Sequence, residues 1–278
     1  MSAPPTVAIE SFGLTDPGKV RESNEDQFVI ASLRKSVKLR HSSLSDPELI
    51  DRLGGLEAQL FVVADGVGGR PGGELASTLA VKTLLEYVDE AVSCYHSLDI
   101  DQEQAFLAQL EGAVQRAHER ILAEHGSAGK GPATTLTMIT LTWPRAYVVH
   151  VGDSRAYYFR SGKLRLLTRD QTTGEYMVDV GAWTEEQAAR AKVAANLTSA
   201  VGGSEMTPSV GLVDLEPGDM LLLCTDGLTK HLGDAEIGTV LAGSDSAEAM
   251  CRTLVDAALA AGGEDNVTVI VARMGAGR

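Results

Sequence analysis

Residues 134–167 read TTLTMITLTWPRAYVVHVGDSRAYYFRSGKLRLL, and this stretch decides the fold class. Its first part alternates threonine with Leu, Met and Ile, and a period of two is typical of a half-buried strand. Further strand-like runs follow, separated only by short turns that contain glycine, at 146–151, 155–160 and 163–167. Since no crossover helix fits between runs this close together, the stretch predicts antiparallel hairpins.

Strand-like and helical segments continue on both sides of this stretch. Short apolar runs predict strands at 7–13, 27–33, 60–64, 210–215, 219–224 and 266–273. Apolar residues at helical spacing predict a helix of about 18 residues after the glycine-rich segment 66–73, and further helices at 102–124 and near 246–261. No repeat or linker divides the chain. We therefore predict one α+β domain over residues 1–278, with mainly antiparallel strands and two long helices packed outside.

Two segments depart from this regular pattern. Residues 34–58 are predicted to be an insertion, and they open with the basic residues Arg34, Lys35, Lys38 and Arg40. This basic start is either a solvated hairpin loop or a docking site for an acidic partner. Residues 171–200 lose strand character and predict one or two short helices in a long connection.

The charge balance of the chain limits its partners. Its 278 residues include 24 Lys and Arg against 38 Asp and Glu, so the net charge is −14 at pH 7. A surface this acidic repels nucleic-acid backbones and anionic membranes, and we expect neither as a main partner. The chain has more carboxylates than cations, so the positions of its aspartates matter for function.

The cysteines and the N-terminal residues indicate where in the cell the protein is expected. Three scattered cysteines are too few for a disulfide framework or a zinc cluster. The first residues lack a basic segment followed by an apolar one, and no apolar run approaches the ~18 residues needed to span a bilayer. A cytoplasmic location is the resulting expectation.

Aspartates stand where strand-like runs meet turns: Asp65, Asp153, Asp226 and Asp265, with Asp26 just before a strand. A single Asp-Gly pair indicates only a turn, but several at strand ends could converge on one end of a sheet structure. Clustered carboxylates repel one another and need cations. Ligands that are all oxygen favour Mg²⁺ or Mn²⁺. Two interpretations follow from the residues alone, a metal cluster or a set of capped turns.

Six short segments carry a resemblance to a known family. In chain order they are GLTDPGKVRESNED at 13–26, VVADGVGG at 62–69 with GGE at 72–74, ATTL at 133–136, VGDSR at 151–155, LLCTDGL at 222–228 and DNVT at 265–268. Each alone is weak. In this order and spacing, from Phe12 to about Arg273, they resemble the metal-dependent serine/threonine protein phosphatases of type 2C, and compact bacterial members in particular.

The resemblance implies a fold and an activity. The fold is a four-layer α-β-β-α sandwich of two antiparallel sheets flanked by helices, with a metal centre in the cleft between the sheets. The activity is Mg²⁺- or Mn²⁺-dependent hydrolysis of phosphoserine and phosphothreonine on proteins, by a metal-activated water that attacks phosphorus directly. Implied partners are proteins phosphorylated by a Ser/Thr kinase, and a monomer is expected. The alternatives are a non-catalytic phosphoprotein-binding or kinase-regulatory module and a hydrolase of small phosphate esters.

The resemblance also implies roles for individual residues. Asp65 matches the aspartate that bridges two ions, and the Gly66 carbonyl matches a ligand of one of them. Asp226 and Asp265 match ligands of the other ion, while Asp26 matches a residue that reaches the centre mainly through water. Asp153 matches the position that in bacterial relatives helps to hold a third and weaker ion, together with the residue at Asp226. Arg21 matches the arginine that binds the substrate phosphate. Arg21, Asp65 and Asp226 are the predicted catalytic residues, and a surface arginine is the alternative for Arg21.

The chain departs from the family pattern at Arg70, where the family often carries a histidine that acts as a general acid. Arginine stays protonated and is a poor proton donor, so we expect metal-bound water or another group to protonate the leaving oxygen. Arg70 is then expected to bind phosphate or a substrate carboxylate. None of His118, His125, His150 and His231 lies in a matching motif, and each is expected to be a buried or solvated histidine. Residues 171–197 match the family's flap, and we expect the flap and the 34–58 insertion to tune substrate choice.

Overall fold

The computed structural model describes residues 7–36, 54–67, 72–93, 100–125, 131–243 and 245–275. Within these residues the chain forms eleven strands and seven helices. The strands are β1 (Ile9–Asp16), β2 (Asp26–Ser36), β3 (Gly54–Val67), β4 (Ala133–Thr134), β5 (Leu136–Thr142), β6 (Arg145–Val151), β7 (Arg155–Arg160), β8 (Lys163–Leu166), β9 (Ser209–Asp214), β10 (Met220–Cys224) and β11 (Val267–Met274). The helices are α1 (Gly72–Ser93), α2 (Ile100–His125), α3 (Thr173–Asp179), α4 (Glu185–Arg190), α5 (Asp226–Thr229), α6 (Asp234–Leu241) and α7 (Ala247–Ala260).

The strands form two antiparallel sheets. The first sheet has the order β1-β11-β10-β7-β8, and the second has the order β2-β3-β5-β6-β9, with β4 paired to the end of β3. The predicted hairpins β5–β6 and β7–β8 are confirmed. A hairpin between β6 and β7 is wrong, because these strands belong to different sheets. Gly152, with φ of 106°, turns the chain from one sheet to the other.

Three apolar clusters separate four layers. Between the sheets, buried residues such as Phe61, Val63 and Leu223 form the central cluster. Alternate residues of the same strands face outward, where one cluster joins α1 and α2 to the second sheet and another joins α5, α6 and α7 to the first. The predicted four-layer α-β-β-α sandwich is therefore confirmed. Because a strand exposes alternate residues to opposite faces, the central cluster fixes which strand-end residues point between the sheets.

Some elements extend beyond their predicted bounds. β3 continues to Val67 because β4 pairs with its last two residues, so Asp65 lies inside a strand rather than at a turn. β2 extends to Ser36 and β3 begins at Gly54, so both ends of the predicted 34–58 insertion are strand. Lys38, Arg40 and the rest of 37–53 lie outside the described residues. The predicted short helices within 171–200 are α3 and α4.

None of the described helices is both long enough and apolar enough to cross a membrane.

Candidate metal centre

Strand register brings the predicted aspartates to one edge of the sandwich. Asp26 opens β2 and lies directly opposite Asp65 near the end of β3. In the other sheet, β10 and β11 are antiparallel, so Asp226 just after β10 and Asp265 just before β11 lie at the same end. Asp153 lies in the connection between β6 and β7, which crosses from one sheet to the other. Residues distant in sequence thus meet at the mouth of the inter-sheet space.

A cleft of about 720 Å³ opens at this edge. Its walls include, among the predicted residues, Arg21, Asp65, Gly66, Asp153, Asp226 and Asp265. The exception is Asp26, which is 3% exposed and does not line the cleft. The cleft therefore contains the predicted site residues in one place, with Asp26 buried beside them.

Asp26 is held by hydroxyl groups of the opposite sheet. Its Oδ2 atom accepts hydrogen bonds from Thr225 Oγ1 at 2.8 Å and from Thr268 Oγ1 at 2.7 Å. Its Oδ1 atom is buried and has no hydrogen-bond partner among the described residues. Burial raises the pKa of Asp26, the two threonine hydroxyls oppose that change, and the charge of Asp226 adds to it. One carboxylate oxygen is fixed and the other is left for a ligand that the described part of the chain does not supply.

Two other carboxylates of the cleft, Asp65 and Asp153, are partly buried near like charges. Burial, followed by the charge of Asp26, raises the pKa of Asp65 well above its ordinary value. Burial and the charge of Asp226 raise the pKa of Asp153 to about 7. Ionising these groups together is unfavourable unless cations neutralise them.

Two side-chain cations already contact the cluster. Arg21 forms a forked pair with Asp265, with Nε 2.7 Å from Oδ1 and Nη2 2.9 Å from Oδ2. Lys230 Nζ lies 2.5 Å from Asp226 Oδ2 and 2.9 Å from Asp265 Oδ2. Burial alone would raise the pKa of Asp265, but the hydrogen bonds from Arg21 and Lys230 outweigh it and hold that pKa below its ordinary value. Sequence reasoning missed Lys230, although it follows Asp226 by four residues, a spacing that favours a local ion pair.

The donor set fits a hard divalent cation. Within the described ranges, no three Asp, Glu, His or Cys side chains converge closely enough on one point to hold an ion as they stand. The carboxylates are instead turned toward Arg21, Lys230 and the threonines. Yet Asp26 Oδ1 and Asp226 Oδ1 are both buried without a hydrogen-bond partner there. Buried orphan oxygens beside further carboxylates are the ligands that Mg²⁺ and Mn²⁺ prefer.

Asn266 positions the loop that carries Arg21. Its Oδ1 atom accepts the backbone N–H of Glu25 at 2.9 Å, and its Nδ2 atom donates to the carbonyls of Pro17 and Ser23, each at 2.9 Å. Three bonds from one buried side chain tie the loop to the start of β11. The amide role of Asn266 was not predicted, because its partners lie more than 240 residues away in sequence.

The backbone around Gly66 leaves room for nothing larger than glycine. A Cβ atom added there would lie 2.4 Å from the carbonyl carbon and oxygen of Gly73. The N–H of Gly66 donates to the Glu25 carbonyl at 3.2 Å. The N–H and carbonyl of Asp65 are held by Thr135, through Oγ1 at 3.0 Å and N at 2.9 Å. The turn that carries the predicted ligands Asp65 and Gly66 is therefore fixed by tight backbone contacts.

Three histidines make structural contacts away from the cleft. His118 Nδ1 accepts the N–H of Gly202, and His231 Nε2 accepts the N–H of Glu264. His150 is buried, its ring bonded to Thr137 and to the carbonyl of Arg169. None of these three lines the cleft. Arg70 and the His125 side chain lie outside the described residues.

The predicted flap borders the cleft. Gln171 fixes its base, since its N–H donates to the Gly152 carbonyl at 2.7 Å and its Oε1 accepts the Gly152 N–H at 2.9 Å. At the other end of the segment, Ala195, Asn196 and Leu197 line the cleft. The flap is thus joined to the same connection that carries Asp153.

Comparisons with known proteins agree with this geometry. A family model described as protein phosphatase 2C matches residues 51–263. The serine/threonine protein phosphatase PstP of Mycobacterium tuberculosis is 36% identical over 217 residues, which span 77% of this chain and 40% of that protein. Protein phosphatase PhpP of Streptococcus pneumoniae is 30% identical over 263 residues, 94% of this chain and 96% of that protein. The structure of the PstP catalytic domain in complex with two manganese ions is similar at a TM-score of 0.73 and 30% identity, covering 97% of this chain and 100% of that one.

Proposed function

The chain belongs to the protein phosphatase 2C family, and on that premise we propose that it hydrolyses phosphoserine and phosphothreonine on proteins in a reaction that depends on Mn²⁺ or Mg²⁺. One observation carries the proposal. Four aspartates line a single cleft with Asp26 buried beside them, and Asp26 and Asp226 each keep a buried oxygen without a hydrogen-bond partner among the described residues. A fold bears the cost of such a cluster when a cation offsets it.

We assign the ligands by the positions that the cleft brings together. Asp65 and the Gly66 carbonyl near the end of β3, with Asp226 just after β10 and Asp265 just before β11, would hold two ions. Asp26 supports this pair from its buried position, and Asp153 with Asp226 is the proposed place of a third, weaker ion. When bound, the ions supply the Lewis acidity that activates water for in-line attack on phosphorus.

Arg21 is proposed to bind and orient the phosphoryl group. Its side chain is 54% exposed and lines the cleft, and its guanidinium already forms a forked pair with a carboxylate. The same fork fits two oxygens of a phosphate. The described residues that line the cleft include no histidine, so we propose that water in the cleft protonates the leaving serine or threonine oxygen.

The proposed partners follow from this chemistry. Substrates are proteins phosphorylated on Ser or Thr by a kinase of that specificity, and the flap beside the cleft contributes to their selection. The acidic cleft and the net charge of −14 disfavour nucleic acids as ligands. We further propose that the protein acts as a monomer in the cytoplasm.

Phosphate release from a phosphothreonine peptide during a Mn²⁺ titration tests the function. Wild type is compared with Asp226→Asn, and Asp256→Asn on the exposed side of α7 serves as the control with the same change of charge. We expect metal-dependent turnover in wild type and control, and its collapse in Asp226→Asn. Metal-dependent peptide binding without turnover would contradict the proposal and favour a binding module. Turnover of p-nitrophenyl phosphate alone would point to small esters as substrates.

A further inference from the structure

Lys230 occupies a position between two carboxylates where a metal ion is proposed to bind. Its ammonium contacts Oδ2 of both Asp226 and Asp265. Each carboxylate side chain is only 18% exposed, whereas 45% of the Lys230 side chain is exposed. The two anions are therefore fixed in the wall of the cleft, and the cation between them reaches solvent.

The attachment of Lys230 allows its ammonium to move. The backbone N–H of Lys230 donates to the Asp226 carbonyl at 2.8 Å, which fixes its main chain at the end of α5. Between this anchor and Nζ lies a flexible four-carbon stem. The ammonium can consequently leave the carboxylates while the helix stays in place.

A divalent ion and this ammonium compete for the same oxygens. An ion bound by Asp226 and Asp265 would lie a few ångströms from Nζ, and positive charges at such a distance repel each other. Of the described residues that line the cleft, only Arg21 and Lys230 carry a positive charge, and both contact Asp265. Of these two, only Lys230 also contacts Asp226.

We propose that Lys230 is an exchangeable internal cation, which neutralises Asp226 and Asp265 in the metal-free protein and is displaced when the metal binds. The metal-free carboxylates are thereby kept in position, at the expense of weaker metal binding. This inference rests on the metal dependence proposed above and deepens it, because it names the residue that sets the affinity on this side of the site.

Isothermal titration calorimetry with Mn²⁺ on the whole chain tests the exchange. Lys230→Met keeps the aliphatic stem and removes the charge, and Lys163→Met makes the same change at an exposed position of β8. Each half-exposed ion pair is worth a factor of about two to five, so we expect Lys230→Met to bind Mn²⁺ about tenfold more tightly. The metal-free variant should also melt at a lower temperature than wild type. Lys163→Met should change neither quantity.

Equal or weaker Mn²⁺ binding by Lys230→Met, with normal binding by wild type, would overturn the exchange. Absence of Mn²⁺ binding by wild type would instead overturn the metal dependence itself, and this inference with it.

A second measurement uses wild type alone and does not depend on folding of a variant. Acetic anhydride labelling followed by peptide mass spectrometry should modify Lys230 slowly in EDTA and several-fold faster in Mn²⁺, with the Lys163 rate unchanged. A Lys230 rate that does not respond to Mn²⁺ would refute its displacement.

Discussion

Raising the pH should destabilise the metal-free protein, and Asp26 allows the size of the effect to be worked out. The pKa of this buried carboxyl is raised from 3.8 to about 7, chiefly by burial. Between these two values the folded state binds more protons than the unfolded state, so the free energy of unfolding falls as the pH rises. This direction is opposite to that of an ordinary carboxylate in an ion pair.

The magnitude follows from the size of that shift. About 3 pH units at about 1.4 kcal/mol each means that ionised Asp26 costs the folded protein about 4 kcal/mol above pH 7. Since the residue is 3% exposed, solvent does little to reduce this figure. About 3 kcal/mol of it should be lost between pH 5 and pH 8. The pKa values of Asp65 and Asp153 are raised as well, so these groups also destabilise the folded state as the pH rises. The pKa of buried His150 is lowered to about 4, so its titration has the opposite effect on stability.

Urea denaturation in EDTA at pH 5, 6, 7 and 8 measures the effect. Because other groups also titrate, the informative quantity is the difference between wild type and Asp26→Asn, whose amide cannot ionise. Wild type should lose about 3 kcal/mol more than the variant across this range. Asp256→Asn on α7 should follow wild type, and saturating Mn²⁺ should remove the difference by neutralising the site. Parallel pH profiles of wild type and Asp26→Asn in EDTA would refute the reasoning.

Two further predictions concern the backbone and the phosphate contact. Gly227→Ala would place a Cβ atom 1.9 Å from the Asn266 carbonyl oxygen, so α5 must move away from the residue before β11. The free energy of unfolding should fall by about 2 kcal/mol or more, as urea denaturation would show. Gly112→Ala in α2 meets no atom within 4 Å and should instead raise stability by about 1 kcal/mol; equal effects of the two changes would contradict the steric argument. Arg21→Lys keeps the charge but loses the fork, so KM for a phosphopeptide at saturating Mn²⁺ should rise about tenfold with a smaller change in kcat. An unchanged KM in steady-state kinetics would remove Arg21 from phosphate binding.

The sequence predicted elements well where the pattern was local. Alternation in 134–142 and the short spacing between runs identified strands and two hairpins, because both signals depend on neighbouring residues. The partner sheet of a strand is not local information. A period of two tells which residues share a face, and β6 and β7 both satisfy it while lying in different sheets. Only the packing of the central cluster determines which of the two sheets each strand joins.

The candidate site likewise contains residues with a local sequence signal and residues without one. Aspartates beside glycine at strand ends could be singled out because residue type and position were both visible. The hydroxyls of Thr225 and Thr268 could not, since they contact Asp26 across 199 and 242 residues and come from the opposite sheet. Lys230 had a usable signal in its spacing from Asp226.

The contacts that hold each aspartate determine whether its substitution affects chemistry or stability. Asp65 projects into the cleft from β3, which the central apolar cluster packs, so that packing sets its position. Neutralising Asp65 relieves repulsion and leaves β3 in place, so it should impair chemistry more than stability. Asp226 opens α5 and Asp265 precedes β11, and neutralising either of them also removes an ion pair with Lys230. Asp26 differs, because its two threonine hydrogen bonds join one sheet to the other at the base of the cleft. Replacing Asp26 by alanine should therefore weaken the contact between the sheets, whereas asparagine, which keeps an oxygen acceptor, preserves it.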